Sequence, residues 1–319
     1  MTRSTNKAIT KAAACMMAAV MAFSMAACGS SASTETTAAE TEASAETEAS
    51  AETEAAEESE ETEAEAEETT GGTLKVAMEC AYAPYNWTQS DDSNGAVQIS
   101  GSKDYAYGYD VMMAKKIAED LGMDLEIVKS DWDSLIPALQ SGKVDCVIAG
   151  QSITSERLQS VDFTKPYYYA SVVALTKNDS PYAEAKGVAD LAGGTCTSQQ
   201  NTIWYDSCLP QIENANILAA QESAPAMLVA LKSGKVDYVV TDMPTAKAAC
   251  LAYPDFKILD FTSTDDDFEV SDEDINIGIS VKKGNTELAD KINGVLDTMT
   301  TDDYESMMDE AISVQPLAQ

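Results

Sequence analysis

The sequence predicts an α/β fold built from two similar halves. Residues 135–150 (LIPALQSGKVDCVIAG) and 227–242 (MLVALKSGKVDYVVTD) align without a gap at an offset of 92, with 8 identities in 16. Ordinary composition gives roughly one. Each copy holds an apolar helical stretch, a Ser-Gly stop and a Val-rich run of strand length. From residue 73 onward strand alternates with helix, the βα pattern of a parallel sheet. One α/β piece in each half suggests two lobes. Each repeated strand then ends at a residue able to face a ligand.

Residues 73–78 read as the strand that enters the fold. Residues 86–107 are polar and glycine-bearing, hence a loop or small hairpin. Asp110 precedes Val111, Ala114, Ile117, Ala118 and Leu121, which share one helix face, with Gly122 as the stop. A short strand at 125–128 follows, then Trp132-Asp133 leads into a helix with Pro137 in its first turn. The run 144–149 is apolar except for Asp145, as expected of a strand covered on both faces. The second half offers a strand at 196–198, a helix beginning at Thr202, a strand at 217–219, a helix at 225–231 and a strand at 236–241. A helix at 244–252, a strand at 275–281 and helices at 288–299 and 304–311 complete the pattern.

Residues 1–28 read as a targeting segment. Arg3, Lys7 and Lys11 precede an Ala/Met/Val/Phe stretch too short and Ala-rich for a stable membrane span. Met25-Ala26-Ala27-Cys28-Gly29 resembles the lipobox of bacterial lipoproteins, in which Cys28 becomes the lipidated first residue. The plainer alternative is cleavage after a small residue, with Cys28 incidental. Residues 29–72 hold 15 Glu and no Lys, Arg or aromatic residue, with TEASAE repeated at 41–46 and 47–52. Such a segment cannot bury enough apolar surface to fold. A solvated tether spanning roughly 35 Å r.m.s. is expected.

The remaining 73–319 keeps 39 of the 54 acidic and 17 of the 20 basic residues, a net charge of −22. That balance argues against nucleic-acid binding, which needs clustered Lys and Arg. The chain has no histidine, which excludes a His base, a His-paired nucleophile and any His-ligated metal. Cys80, Cys146, Cys196, Cys208 and Cys250 are odd in number and lack C-x-x-C spacing, against a disulfide framework or a zinc site. Cys146 reads as a small core residue. A Cys196–Cys208 bridge can be drawn, but nothing in the spacing supports it. No cofactor is expected.

LKVAMECAYAPYNW (74–87), GYDVMMAKKIAEDLG (108–122), DWDSLIPALQSGKVDCVIAGQSITSERLQSVDFTKPYY (131–168) and SGKVDYVVTDMPTA (233–246) together resemble the polar amino-acid family of extracellular solute-binding proteins. These serve ATP-driven importers. The resemblance implies a two-lobed periplasmic-binding-protein-like (type II) fold. Each lobe would carry a mixed, mainly parallel sheet, and two crossover strands would join the lobes. Lobe one would be 73–168 plus 274–319 and lobe two 169–273, with crossings near Tyr169 and Ser271. The partners it implies are a free amino acid, an ABC permease with its ATPase complex, and the membrane through a lipid anchor at Cys28. A monomer is expected, on the outer face of the cytoplasmic membrane.

A zwitterionic amino acid presents a carboxylate and an ammonium. A planar guanidinium suits the carboxylate through paired hydrogen bonds. Arg157 lies just past a strand's carboxyl end and occupies the place of the family's binding arginine. The alternative is a solvated helix arginine. Ser152 and the backbone of Gly150 would add hydrogen bonds. Asp242 stands where the family has an aspartate for the ammonium, and it also suits a helix N-cap before Met243-Pro244. Gln199-Gln200-Asn201-Thr202 sits where the family has Gln-x-Gly-Thr. Thr202 would supply hydroxyl and amide at a helix N-terminus. Asn201 replaces the glycine, and Asn tolerates positive φ better than most residues. Tyr82 and Trp132 match aromatic positions flanking the ligand side chain, although Trp132 also suits the core. Glu79 matches the position facing the ligand's distal end, where an acid favours a cationic or other polar side chain.

The resulting expectation is capture of a cationic or other polar amino acid by closure of two lobes, and its delivery to the importer, without catalysis. A dehydratase-like enzyme on the same fold is a competing reading, with Glu79 as its acid or base. A ligand-sensing module is another, although such chains usually continue into a membrane span and this one stops at Gln319.

Overall fold

The computed structural model describes residues 71–316. The expected signal segment, Cys28 and the tether up to residue 70 lie outside the described residues.

β1 (Thr73–Met78) leads into four short strands, β2 (Ala81–Tyr82), β3 (Asn86–Gln89), β4 (Val97–Gln98) and β5 (Tyr105–Tyr107). These pair in the order β2-β3-β5-β4, a small sheet where a loop or hairpin was expected. Next come α1 (Tyr109–Asp120), β6 (Asp124–Lys129), α2 (Leu135–Gln140), β7 (Cys146–Val147) and β8 (Val161–Tyr169). The chain continues with β9 (Val172–Lys177), β10 (Thr195–Thr197), β11 (Asn216–Ile217), α3 (Ala224–Lys232), β12 (Tyr238–Asp242), α4 (Met243–Ala252) and β13 (Phe256–Leu259). It ends with α5 (Asp272–Ile275), β14 (Asn276–Lys282), α6 (Thr286–Leu296) and α7 (Thr301–Val314).

Two five-stranded sheets carry the core, in the orders β6-β1-β7-β14-β8 and β11-β10-β12-β9-β13. They have the same plan. The repeated strands β7 and β12 sit at the centres, with parallel partners on one side and antiparallel partners on the other. The sheets are therefore mixed as expected, but with parallel and antiparallel pairings in equal number and not mainly parallel, because β9 and β14 each run antiparallel to both of their neighbours. The chain passes from the first sheet to the second between Tyr169 and Val172 and returns at Asn276, which pairs with Tyr169.

The twin Ser-Gly-Lys-Val-Asp segments do the same local work. Gly142 and Gly234 adopt φ of 76° and 71°, the left-handed conformation that ends a helix. The amides of Lys143 and Lys235 then bond back to Ala138 and Ala230. Asp145 accepts the Lys75 amide at 2.8 Å, and Asp237 accepts the Thr195 amide at 2.8 Å. Each aspartate thus ties its incoming strand to the adjacent parallel strand, which fixes register.

Two further expectations change in detail. Thr202 does not begin an α-helix: Trp204–Cys208 forms a π turn and Leu209–Gln211 a 3₁₀ turn. Pro210 has no amide donor, so an α-helix across it would lose a hydrogen bond. All five cysteines among the described residues are free, so the Cys196–Cys208 bridge is not formed. Cys146 is fully buried in the first sheet, as expected.

Candidate ligand-binding site

The predicted residues gather between the carboxyl ends of the two central strands. Beyond β7 the chain reaches Gly150, whose φ of 63° bends it sharply. A Cβ there would stand 2.9 Å from the Tyr82 ring, so glycine lets that ring pack against the strand end. The Gly150 amide donates to the Tyr167 hydroxyl oxygen at 3.1 Å. Tyr167 in turn donates to Asp110 at 2.6 Å. Asp110 is fully buried and also accepts from Asn86 at 2.7 Å. Burial raises its pKa to about 6, against the opposing hydrogen bonds from Tyr167 and Asn86.

Arg157 opens a 3₁₀ turn a few residues further on. Its Nη1 donates to the Ser152 carbonyl at 2.8 Å and its Nη2 to the Asn201 carbonyl at 2.7 Å. The guanidinium lies over Trp132, 5.4 Å from the ring centroid. Burial lowers its pKa to about 10, while Glu156 and Asp206 oppose the shift, so it stays charged at neutral pH. Trp132, Arg157 and Thr202 line one cavity of about 430 Å³, together with Asp133, Asn201 and Asp206. Its size suits a small organic ligand.

Asp242 ends β12 and caps α4, accepting the Thr245 amide at 2.9 Å. It is fully buried. The Tyr82 hydroxyl donates to it at 2.6 Å, Tyr85 at 3.4 Å and the Thr245 hydroxyl at 2.9 Å. Burial raises its pKa, and the hydrogen bonds from Tyr82 and Thr245 pull the other way. Tyr82 stacks on Tyr85 with ring centroids 4.9 Å apart. Asp242 therefore serves as the cap of α4, one of the two roles its position suits.

Glu79 is buried near Tyr82, and its Oε2 has no hydrogen-bond partner. Burial raises its pKa to about 7. The Gln199 amide opposes that rise by proximity, although its Nε2 forms no hydrogen bond of good geometry. Thr202 is buried, with its hydroxyl donating to the Gln199 carbonyl at 2.7 Å. Ser152 is buried and lends its carbonyl to Arg157.

The structure thus forms two groups. Trp132, Arg157 and Thr202 face the cavity, while Glu79, Tyr82 and Asp242 are buried together, with the partly buried Gly150 against the Tyr82 ring. Sequence reasoning missed Tyr85 and Thr245 around Asp242, and Asp133 beside Arg157. The Thr245 amide is a normal N-cap partner three residues on, so that contact was open to prediction. A second cavity of about 340 Å³ lies between β2, β3 and the helices α3 and α4. It is mostly apolar, and Lys129 is its one charged lining residue.

The chain is similar to several known proteins. A Campylobacter jejuni protein described as a probable histidine-binding protein is 33% identical over 192 residues, covering 60% of this chain and 68% of that one. A solved Streptococcus pneumoniae amino acid ABC transporter substrate-binding protein bound to L-arginine is 26% identical with a TM-score of 0.65, covering 76% of this chain and 95% of the other. An ancestral amino acid-binding protein, described as a precursor of cyclohexadienyl dehydratase, is 28% identical with a TM-score of 0.60, covering 75% and 95%. A family model matches residues 74–312, and the chain belongs to the bacterial extracellular solute-binding proteins, family 3.

Proposed function

We propose that this chain captures a free polar amino acid outside the cytoplasmic membrane and delivers it to an ABC importer. The observation that carries this reading is the pairing of opposite charges at two strand ends. A guanidinium sits beyond β7 and a buried carboxylate ends β12, one on each sheet. They suit the carboxylate and ammonium of one zwitterion. A ligand held by both favours the arrangement in which the two units meet, so binding shifts the population toward closure. The units are 73–168 plus 274–319 and 169–273.

Glu79 supports a cationic side chain. Its ionisable carboxyl has an unpartnered oxygen, as a distal ammonium or guanidinium would require. The relatives named for histidine and arginine agree with this class. The chain works as a monomer, held by a lipid on Cys28 and the acidic tether, without a cofactor. Arg157→Ala should abolish amino-acid binding in calorimetry while leaving the fold intact. Undiminished affinity would remove the reading.

A catalytic alternative rests on one observation: a Glu79 pKa near 7 would suit a general acid or base. Arg157 stays protonated at neutral pH, and the buried Asp242 carboxylate is occupied by hydrogen bonds from Tyr82, Tyr85 and Thr245, so binding without turnover is the reading proposed. Product formed from an incubated amino or keto acid would reverse that choice.

A further inference from the structure

We propose that Asp133 is a positioning residue that latches the two units together over the ligand, acting through Gln200 and Asn201. This inference rests on the capture reading above. Asp133 lies in the 3₁₀ turn Trp132–Ser134, between β6 and α2 of the first unit. Gln200 and Asn201 follow β10 of the second. Gln200 Nε2 donates to Asp133 Oδ2 at 2.6 Å, and Asn201 Nδ2 donates to Asp133 Oδ1 at 2.7 Å. Each carboxylate oxygen takes one donor, and both bonds are short and charge-assisted.

The loop that receives the latch is anchored to its own sheet. The Gln200 amide bonds the Gln221 carbonyl at 2.9 Å, and the Thr202 hydroxyl holds the Gln199 carbonyl. Force on the two amide side chains therefore reaches the second sheet, and is not absorbed by a loose segment. Asn201 has φ of 55°. Glycine would take that conformation at lower cost, but it could not reach Asp133. The asparagine side chain is thus explained by the bond it makes. The Asn201 carbonyl accepts from Arg157 Nη2 at 2.7 Å, so Asp133 holds the residue that orients the guanidinium.

All three bonds join the first unit to the second in the wall of the cavity that Asp133, Arg157 and Asn201 line. They exist only while the units are together. They therefore stabilise closure without adding to the encounter, and their loss should appear in release.

The test uses the full chain, L-arginine as probe and stopped-flow tryptophan fluorescence, which Trp132 in the cavity wall can report. Asp133→Ala should leave the association rate near wild type and raise the dissociation rate about tenfold. Asn201→Gly keeps the backbone conformation and should raise the dissociation rate likewise. Asp133→Asn and Asn201→Asp should each weaken binding, and the double exchange, which restores one amide–carboxylate pair, should recover part of the loss. A wild-type dissociation rate in Asp133→Ala or Asn201→Gly overturns the latch while leaving amino-acid capture standing. If the wild type binds none of the common amino acids, the capture reading falls, and small-angle scattering decides the latch by itself. Asp133→Ala should then show a larger radius of gyration than wild type; an unchanged radius overturns the proposal.

Discussion

Glu79→Gln separates stability from function, and its magnitude follows from the burial of one carboxyl. Glu79 is 5% exposed. Its pKa is about 7 in the folded chain against 4.5 ordinarily, with desolvation as the largest cause and Asp131, Asp110 and Asp133 adding to it. Between pH 4.5 and 7 the folded protein holds a proton that the unfolded chain has released. Folding is therefore favoured as pH falls through this window, and above pH 7 the ionised carboxyl costs stability. The gap of about 2.5 pH units, at about 1.4 kcal/mol each, makes that cost roughly 3 kcal/mol. Glu79→Gln removes it. The variant should be about 3 kcal/mol more stable than wild type at pH 8, and the advantage should vanish near pH 4.5. Urea denaturation at both pH values measures this directly. The variant should also bind L-arginine about a hundredfold more weakly, since an unpaired cation would be buried, yet bind L-glutamine nearly as wild type does. A stability difference that does not change with pH would refute the electrostatic account of this residue. Equal losses for both ligands would refute its role in specificity.

Two further substitutions test the opposite ends of the site. Asp242→Asn keeps an oxygen for the Thr245 amide but removes the charge. It should abolish amino-acid binding in calorimetry and change stability by about 1–3 kcal/mol, because the Tyr82 and Thr245 hydroxyls that donate to the second oxygen would meet an NH2 group. Gly150→Ala places a Cβ 2.9 Å from the Tyr82 ring at a φ of 63°. It should lower stability by about 1–3 kcal/mol in urea denaturation and weaken binding, because the ring that bonds Asp242 must move.

Much of the architecture was legible because the twin segments are complete structural units. Helix, left-handed glycine, aspartate tie and central strand recur in both sheets, so one local pattern located both centres. The strands outside the twin segments were harder to place. β8 carries Pro166, which argues against a strand in a sheet interior, but β8 is an edge strand and a bulge lies opposite at Gly278 and Ser280. β9 is a short apolar run, VVALTK, of a length at which periodicity cannot separate a strand from a buried helix. Its antiparallel place between β12 and β13 comes only from pairing. In the site, residue types and motif positions pointed to the proposed roles: an arginine for a carboxylate, an aspartate for an ammonium. Their partners could not be read, because Tyr82 meets Asp242 across 160 residues of sequence and Asp133 meets Asn201 across 68. Those contacts depend on how the two units pack.

The central claim is that Arg157 and Asp242 hold the two ends of one free amino acid. A thermal-shift panel of the common amino acids on the wild-type chain tests it most directly. At a hundredfold excess over Kd, binding adds about 2.7 kcal/mol of stability, which for a fold of this size raises the melting temperature by roughly 5–10 °C. The account predicts such a shift for one or more polar amino acids, largest for a cationic one, and none in Arg157→Ala. No shift with any amino acid, or an equal shift in Arg157→Ala, would contradict it.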